Sequence, residues 1–405
     1  MTTKMRPFGE TISLEEARAI ITKSLRPIDR VERVPLDAAH GRVLAQELVA
    51  SADVPPFSRA AMDGYALRAV DTTGATPARP AVLTCIEKVF TGQMPSMTIE
   101  AGQCTEIATG APMPPGADSV VMVEQTDAEG TTVRIFAAAD VGQNIGRQGA
   151  DIKRGQTVMR AGETLNASRV GAIAALGLAE VNVYARPRVA ILSTGNEIVD
   201  PGQPLAPGHI YDINRFTVAA VVAEHGGVPI AYRTAADTIE DLERALDECL
   251  HDDVLVFSGG TSVGERDLIL DALGNRGEVL FHGISVKPGK PTAFGLVKHK
   301  PFFGMPGYPS SCLLNTHILL VPAVRSIARL PALERHTMTL PLAHRVASAR
   351  NRHQFYTVRI TDGVAIPAYK ASGDITSMSQ ADGYFEIAAE TDFVEEGELV
   401  EVTLF

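Results

Sequence analysis

The sequence predicts a multidomain protein of α/β and β structure, with a central three-layer α/β domain. Three observations support this fold class. The chain has 405 residues, too many for one small core. From Arg186 onward, strand-like and helix-like segments alternate, which is typical of a mostly parallel sheet covered by helices. Before this region, short apolar runs are separated by glycine- and proline-rich turns, and after it strand-like runs lack long helical connections, which predicts β-rich modules on both sides.

Composition excludes several classes of protein. A formal charge of -11 disfavours general attraction to nucleic acid or to anionic membranes. We find no apolar signal segment and no run of eighteen apolar residues, so we expect neither a secretory signal nor a membrane span. The four cysteines lie far apart without metal-site spacing, which is typical of buried thiols in a reducing cytoplasm. Because the negative net charge gives no long-range attraction for anions, any anionic ligand must be bound by a local arrangement of groups.

The first half of the chain reads as a helical region interrupted by strands. Ser13 has the position of an N-cap before acidic residues, which predicts a helix to about Leu25. Residues 48–158 have the pattern of strands, and residues 166–178 return to a helical pattern. A helix on each side of the strands predicts that a β-rich domain is inserted into a helical one.

The second half begins with the predicted α/β domain. RVAILS, VPIAYR and DDVLVFS read as strands between helical segments, followed by strand-like EVLFHGISV and PFFGM. The α/β pattern ends near Pro331. The rest of the chain has strand-like runs without long helical connections, which predicts a small all-β domain.

Four unusual loops follow predicted strands of the α/β region. They are STGNE (193–197), SGGTSVGERD (258–267), KPGKP (287–291) and MPGYPSS (305–311). Ligands in open α/β sheets collect beyond the carboxyl ends of parallel strands. A single glycine loop is weak evidence, because glycine also serves ordinary turns, but four loops in one domain favour a binding site.

The second loop has two compatible interpretations. Gly259 and Gly260 leave backbone amides accessible to an oxyanion, and Thr261 and Ser262 add hydroxyl donors. The helix that follows would direct its N-terminal dipole to the same place. The alternative is a capped turn before a helix, in which Asp267 only complements the dipole.

Each of the remaining loops also has two interpretations when it is considered alone. Lys287 and Lys290 repel each other on a proline-flanked turn unless they share an anion, but an isolated turn of this kind is more often a solvated basic turn. MPGYPSS can be an ordinary helix start with Pro309 at the first position. Glu197 can cap backbone amides or, with other carboxylates, hold a divalent metal.

Long motifs in this order resemble the MoeA family of molybdenum-cofactor enzymes, which includes the gephyrin E-domain. The motifs are RVAILSTGNEIV, VFSGGTSVGERD, VKPGKPTAFG and MPGYPSS, preceded by VPPFSRAAMDGYAL, ATGAPMPPGAD and VGQNIGRQGADI. The resemblance covers essentially the whole chain. It implies an enzyme that inserts molybdate into adenylylated molybdopterin and releases AMP with a divalent cation such as Mg²⁺. It also implies a cytoplasmic homodimer with a composite active site, which handles molybdopterin intermediates and acts beside other molybdenum-cofactor biosynthesis proteins.

The family architecture agrees with the boundaries read from the pattern. We expect an interrupted helical domain at 1–47 and 151–185 and an inserted β-rich domain at 48–150. A molybdopterin-binding α/β domain at 186–330 and a C-terminal β-barrel at 331–405 would complete the chain.

The resemblance assigns roles to matching positions. The catalytic positions are Asp63, Asp151, Glu197, Asp237, Asp267, Lys287 and Lys290, with Glu197, Asp237 and Asp267 as the metal ligands. The substrate-binding positions are Ser193, Thr194, Gly195, Ser258, Gly259, Gly260, Thr261, Ser262, Pro306, Gly307, Pro309, Ser310, Arg352 and Ser372. By the same analogy, the motif around Asp63 reaches the α/β cleft of the partner subunit.

Some motifs depart from the family pattern. Where the family often has R-x-E-F-x-R, residues 352–357 read RHQFYT, and Tyr308 and Thr261 replace the common asparagine and valine. Two alternatives therefore stay open. The chain could be a scaffold or regulatory relative with weakened catalysis, or a molybdopterin adenylyltransferase. The acids and lysines favour an enzyme, and the additional domains favour insertion.

Overall fold

The structure is a computed structural model that describes residues 11–236, 238–259, 268–349, 351–370 and 373–405. The chain divides into two compact units. The larger unit comprises Met1–Arg33, Gly41–Val43 and Asn182–Phe405, and the inserted unit comprises Val34–His40 and Leu44–Val181. The inserted unit therefore interrupts the larger one in sequence.

The helices are α1 (Leu14–Ser24), α2 (Ala167–Ala175), α3 (Asn214–Glu224), α4 (Ile239–Cys249), α5 (Leu268–Arg276), α6 (Pro309–Asn315), α7 (Val321–Ile327) and α8 (Thr376–Ser379). The first strands are β1 (Val31–Pro35), β2 (Leu48–Val49), β3 (Arg59–Ala60), β4 (Gly64–Leu67), β5 (Ala81–Val89), β6 (Gln103–Ile107), β7 (Ser119–Met122), β8 (Thr126–Glu129), β9 (Thr132–Ile135), β10 (Ile145–Gly146) and β11 (Thr157–Met159). Next come β12 (Glu180–Tyr184), β13 (Arg188–Ser193), β14 (Ile198–Val199), β15 (Ile210–Tyr211), β16 (Val228–Ala231), β17 (Val254–Ser258), β18 (Gly277–His282), β19 (Val286–Lys287), β20 (Ala293–Val297) and β21 (Lys300–Met305). The last are β22 (Thr337–Pro341), β23 (Val346–Ala347), β24 (His353–Thr361), β25 (Val364–Pro367), β26 (Gly383–Ile387), β27 (Phe393–Val394) and β28 (Leu399–Leu404).

The first helix begins where the sequence predicts. The Ser13 hydroxyl accepts a hydrogen bond from the Glu16 backbone amide at 3.1 Å, and the Glu16 carboxylate accepts one from the Ser13 amide at 2.8 Å. This capping box satisfies amide groups that the first helical turn would otherwise leave unpaired. Leu14, Ala17 and Ile21 face inward and join the core of the larger unit's sheet.

The larger unit is built on a mixed six-stranded sheet in the order β16-β13-β17-β21-β20-β18. The first four strands are parallel, and β20 and β18 are antiparallel to their neighbours. Apolar residues of β13 alternate between two cores. Val189 and Ile191 pack toward α1, α3 and the 309–327 helical segment, and Ala190 and Leu192 pack toward α4 and α5. The α/β region therefore has three layers.

The antiparallel hairpin of β20 and β21 is an addition to the predicted pattern. Its strands are joined by Lys298 and His299, whose φ angles are 48° and 68°. Positive φ at two adjacent turn residues matches the right-handed twist of a hairpin. Asparagine and glycine usually occupy these positions, so the sequence had no strong signal for this turn.

The helical segment over 309–327 changes its winding in the middle. Between α6 and α7, Thr316–Leu320 forms a π-helix. Apolar side chains of this segment, including Leu314, Leu319 and Val324, are buried in the core beside the sheet. Burial of this face against the sheet holds the segment in place at both ends.

The C-terminal part of the larger unit is mainly β-structure, as predicted. Its sheet has the order β19-β24-β26-β28-β22, and β25 pairs with β24. An isolated bridge also joins Leu342 to Ala365. Phe385, Val358 and Val402 form its core with other apolar residues.

The inserted unit is rich in strands, as the sequence predicts. Its main sheet has the order β7-β4-β6-β5-β9-β8, with β5 and β6 parallel and the other pairs antiparallel. Separate clusters of buried residues include Val89 and Ile107 in one and Leu67 and Val133 in the other. Among the helices in the described ranges, none has both the length and the apolar composition needed to cross a bilayer.

Candidate functional site

Three of the four predicted loops leave adjacent strands of the larger unit's sheet. In the parallel register Ser193 lies opposite Ser258, and Ser258 lies opposite Met305. The Thr194 amide donates to the Ser258 carbonyl at 2.8 Å, and the Gly259 amide donates to the Met305 carbonyl at 3.3 Å. The described starts of these loops therefore meet at one carboxyl edge, the expected place for a ligand in an open α/β sheet.

A buried carboxylate anchors the first two strand ends. The Ser193 hydroxyl donates to Asp212 at 2.8 Å and lies 3.2 Å from the Ser258 hydroxyl. Asp212 also accepts from the Arg215 amide at 3.1 Å and forms an ion pair with its guanidinium at 3.2 Å. Arg215 forms a second ion pair with Asp200. Ser193 and Ser258 are 3% exposed, so their hydroxyls hold the strand ends together rather than face solvent.

Gly259 lies where a larger residue would not fit. Its φ is +96°, and an added Cβ would lie 2.3 Å from the Thr194 carbonyl oxygen. Glycine has no Cβ and adopts this conformation without strain. The close approach of Gly259 to Thr194 is thus a steric requirement of the strand edge, whether or not a ligand is bound.

The Pro-Gly-Tyr-Pro turn follows β21. The Asn214 side-chain amide, at the start of α3, donates to the Gly307 carbonyl at 2.9 Å. Pro309 occupies the first turn of α6, where its missing N–H costs no hydrogen bond. Pro306 precedes Gly307, Ser310 is buried, and Tyr308 is 66% exposed. The turn therefore presents an aromatic ring outward from a fixed backbone.

The lysine turn belongs to the same unit. Lys287 ends β19, which pairs in parallel with β24, and both Lys287 and Lys290 are half-buried. Between them, Gly289 has a φ of +107°. Its carbonyl accepts hydrogen bonds from Asn315 at 3.0 Å and from Thr292 at 2.8 Å. Buried side chains thus hold the backbone that carries the two ammonium groups.

Glu197 is exposed in the loop after β13. Its carboxylate oxygens lie 2.7 and 2.8 Å from the position that a Cβ on Gly195 would occupy. Gly195, with φ +143°, therefore leaves the space that the carboxylate uses. Among the residues that the structure describes, no group of three acids, histidines or cysteines is arranged to hold a metal.

Two predicted acids lie in the inserted unit, and both are exposed. The Asp63 carboxylate accepts a hydrogen bond from the Thr109 backbone amide at 2.7 Å. The backbone and side-chain hydrogen bonds of Thr109 lower the pKa of the Asp63 carboxyl from its ordinary value. The Asp151 amide donates to the Val54 carbonyl at 3.1 Å. Asp63 is therefore a fixed, ionised group on this unit's surface.

The remaining predicted site residues divide into two groups. Arg352 is half-buried immediately before β24. Six predicted site residues lie outside the described residues, and these are Asp237, Gly260, Thr261, Ser262, Asp267 and Ser372.

Sequence reasoning missed the polar residues that hold these loops, namely the buried Asp212, Asn214 and Asn315 and the partly buried Arg215. Within the described ranges, the side-chain oxygens of Thr194, Asn214 and Asn315 are buried without a hydrogen-bond partner. A buried oxygen without a hydrogen-bond partner lowers the stability of the fold, because it has lost its hydrogen bonds to water. Such atoms need an explanation other than apolar packing. The available signals were the polar run YDINR before an apolar helix and one asparagine within CLLNTHILL.

Comparisons with known proteins match the chain in three consecutive regions. Residues 12–177 match the MoeA N-terminal region (domain I and II), residues 190–326 the "Probable molybdopterin binding domain", and residues 339–405 the MoeA C-terminal region (domain IV). The chain is similar to molybdopterin molybdenumtransferase 2 of Mycobacterium tuberculosis, with 37% identity over 350 residues, 85% of this chain and 86% of that protein. It is 35% identical over 318 residues to molybdopterin molybdenumtransferase of Haemophilus influenzae, covering 78% of each chain.

A solved structure gives the same result for the fold. The molybdopterin biosynthesis MoeA protein from Pyrococcus horikosii matches with a TM-score of 0.85 and 38% identity, covering 98% of this chain and 99% of that one. Identity above 30% extends over most of both chains, and the three matched regions follow one another in order. This chain therefore belongs to the MoeA family.

Proposed function

We propose that this protein inserts molybdate into adenylylated molybdopterin and releases AMP. The convergence of the STGNE and MPGYPSS loops with the Ser258–Gly259 start of the second loop at one strand edge carries the proposal. Similarity to proteins named molybdopterin molybdenumtransferase, over most of their length, supports the same reaction. The matches to both MoeA terminal regions favour insertion over the adenylyltransferase alternative.

The substrates are highly anionic, and the protein carries a formal charge of -11. Binding therefore depends on local donors. Each ammonium of Lys287 and Lys290 would gain about 4 kcal/mol from a phosphate charge at about 4 Å, before desolvation, at an effective dielectric of about 20. Backbone amides of the Gly259–Gly260 segment would add donors that need no side chain.

The proposed substrate contacts come from the strand-edge loops and the C-terminal part. In the first and second loops they are Ser193, Thr194, Gly195, Ser258, Gly259, Gly260, Thr261 and Ser262. In the remaining segments they are Pro306, Gly307, Pro309, Ser310, Arg352 and Ser372. Because Ser193, Ser258 and Ser310 are buried, we expect their backbone to matter more than their hydroxyls.

We propose that a Mg²⁺ ion is held at this edge partly by protein carboxylates and partly by substrate. Magnesium commonly uses one or two carboxylates together with substrate phosphates. Glu197 is an exposed carboxylate at the edge, whereas Asp212 is committed to Arg215 and Ser193. We propose Glu197, Asp237 and Asp267 as the protein ligands because the family resemblance assigns them; the last two lie outside the described residues. Bound Mg²⁺ would offset charge on the phosphate during the transfer.

Asp63 and Asp151 are proposed to complete the active site of the partner subunit in a homodimer. A subunit-mixing experiment tests this assignment. Hybrids of Asp63→Ala and Asp267→Asn subunits should regain activity, because one of the two composite sites keeps both acids. If hybrids stay as inactive as either parent, the composite site is wrong.

We also propose a domain division at 1–47 with 151–185, 48–150, 186–330 and 331–405. This division places α1 in the first domain, although α1 packs on the core of the α/β sheet. For the last part we propose a β-barrel, supported by the bridge between Leu342 and Ala365 near its sheet edges. The protein would act in the cytoplasm beside other molybdenum-cofactor biosynthesis proteins.

The deciding assay incubates the protein with adenylylated molybdopterin, Mg²⁺ and molybdate, and measures AMP and active cofactor. We expect both products, and we expect them to fall sharply in Glu197→Gln and Asp267→Asn variants. Absence of both products would favour a scaffold. Adenylylation of molybdopterin from ATP, without molybdate insertion, would favour the adenylyltransferase. Full turnover with native Mg²⁺ dependence in both variants would refute the metal assignment.

A further inference from the structure

Helix α6 joins two of the candidate loops. It begins at Pro309, inside the Pro-Gly-Tyr-Pro turn, and ends at Asn315, against the lysine turn. Seven helical residues span about 10 Å, so the helix is a short, stiff link. Any shift of α6 would therefore move both turns together.

Asn315 is fully buried and contacts the centre of the lysine turn. Its side-chain amide donates to the Gly289 carbonyl at 3.0 Å and to the Thr292 hydroxyl at 2.5 Å. A Cβ on Gly289 would lie 2.4 Å from the Asn315 Nδ2 atom. The Asn315 amide thus packs so closely on the turn that only glycine fits at position 289.

One contact of Asn315, to Gly289, lies between the two lysines, and the other, to Thr292, lies just after Lys290. The Lys290 carbonyl accepts from the Ile284 and Thr292 amides at 3.0 and 2.9 Å, which fixes the end of the turn. Asn315 fixes its middle through Gly289. The Asn315 Oδ1 atom has no hydrogen-bond partner within the described part of the chain. An apolar residue here would avoid the cost of burying an unpaired oxygen. We therefore attribute the role of Asn315 to the N–H donors of its side-chain amide.

We propose that Asn315 is a positioning residue, which sets the separation and direction of the Lys287 and Lys290 ammonium groups for an anionic substrate. The inference rests on the proposed function, because it takes the lysines to bind the phosphate of adenylylated molybdopterin. Asn315 does not touch the substrate. It acts through the backbone of the turn and, through α6, couples this turn to the Pro-Gly-Tyr-Pro turn.

The test replaces the amide by an apolar side chain of similar size. Asn315→Leu should raise KM for adenylylated molybdopterin about tenfold or more, since small displacements of binding groups are costly, while kcat changes less. Thr316→Val is the matched control. Thr316, the next residue, is equally buried, and its hydroxyl donates to the Cys312 carbonyl of the same helical segment. This control should lose similar thermal stability with KM unchanged.

A combination with a lysine variant separates positioning from general destabilisation. If Asn315 acts through the two lysines, Asn315→Leu should have little further effect on KM in a Lys287→Ala/Lys290→Ala background. Full multiplication of the two effects, or an unchanged KM in Asn315→Leu, would overturn the proposal.

Amide hydrogen exchange keeps this test independent of the proposed reaction. In Asn315→Leu, the Ile284 and Thr292 amides should exchange faster than in Thr316→Val. If the wild-type protein shows no turnover, the proposed function fails, and the exchange result still decides whether Asn315 orders the turn. Unchanged protection of these amides would refute its role.

Discussion

Replacing Asp212 by asparagine tests the buried ion pair beneath the strand edge. The Asp212 side chain is 1% exposed, and that of Arg215 is 12% exposed. Removing one charge from a buried pair costs about 3–5 kcal/mol, because the other charge stays buried. Arg215 retains Asp200, whose side chain is 57% exposed, and asparagine can still accept from Ser193. We therefore expect a loss of about 2–4 kcal/mol in the larger unit.

The measurement is urea unfolding followed by hydrogen exchange and mass spectrometry, which reports each unit from its own peptides. A global probe is less suitable, since two units can unfold in separate transitions. Asp200→Asn is the control, because the Asp200 side chain is 57% exposed and solvent screens its charge, so its loss should cost at most about 1 kcal/mol. Equal losses in the two variants, or a loss below about 1 kcal/mol in Asp212→Asn, would refute the reasoning.

Two further predictions concern backbone geometry and pH. Gly259→Ala should lose activity and about 1–3 kcal/mol of stability, because its Cβ would meet the Thr194 carbonyl at positive φ. Gly274 lies in α5 with open space around it, so Gly274→Ala should be neutral or stabilising. Equal losses of stability in the two variants, measured by calorimetry, would contradict the steric argument. Burial, with a smaller contribution from His225, lowers the pKa of His317 to about 4. The unfolded chain therefore binds more protons between about pH 6.5 and 4, and stability should fall by about 2 kcal/mol from pH 7.5 to 5. In urea titrations, His317→Asn should reduce the dependence of the unfolding free energy on pH. His251→Asn, at an exposed position, should leave that dependence unchanged. Parallel pH curves for the wild type and both variants would exclude a contribution from His317.

Local sequence signals worked best where a residue acts on its own neighbours. Ser13 and Glu16 lie three residues apart, and their capping box started α1 where expected. The same local logic failed for the hairpin of β20 and β21. Lys298 and His299 are not typical of a tight hairpin, so the two apolar runs gave no clear boundary. Here the pairing of the strands in the sheet outweighed the preference of the turn residues.

The sequence by itself determined most helices and strands and placed the glycine-rich loops at strand ends, because hydrophobic period and capping are local properties. Only the tertiary structure decided that β13, β17 and β21 are neighbours, so that their loops meet at one edge. It also brought Asn315 to Gly289 and Asp212 to Ser193 across 26 and 19 residues of chain. Such pairs depend on strand order and helix packing, and the spacing of residues along a chain does not encode either.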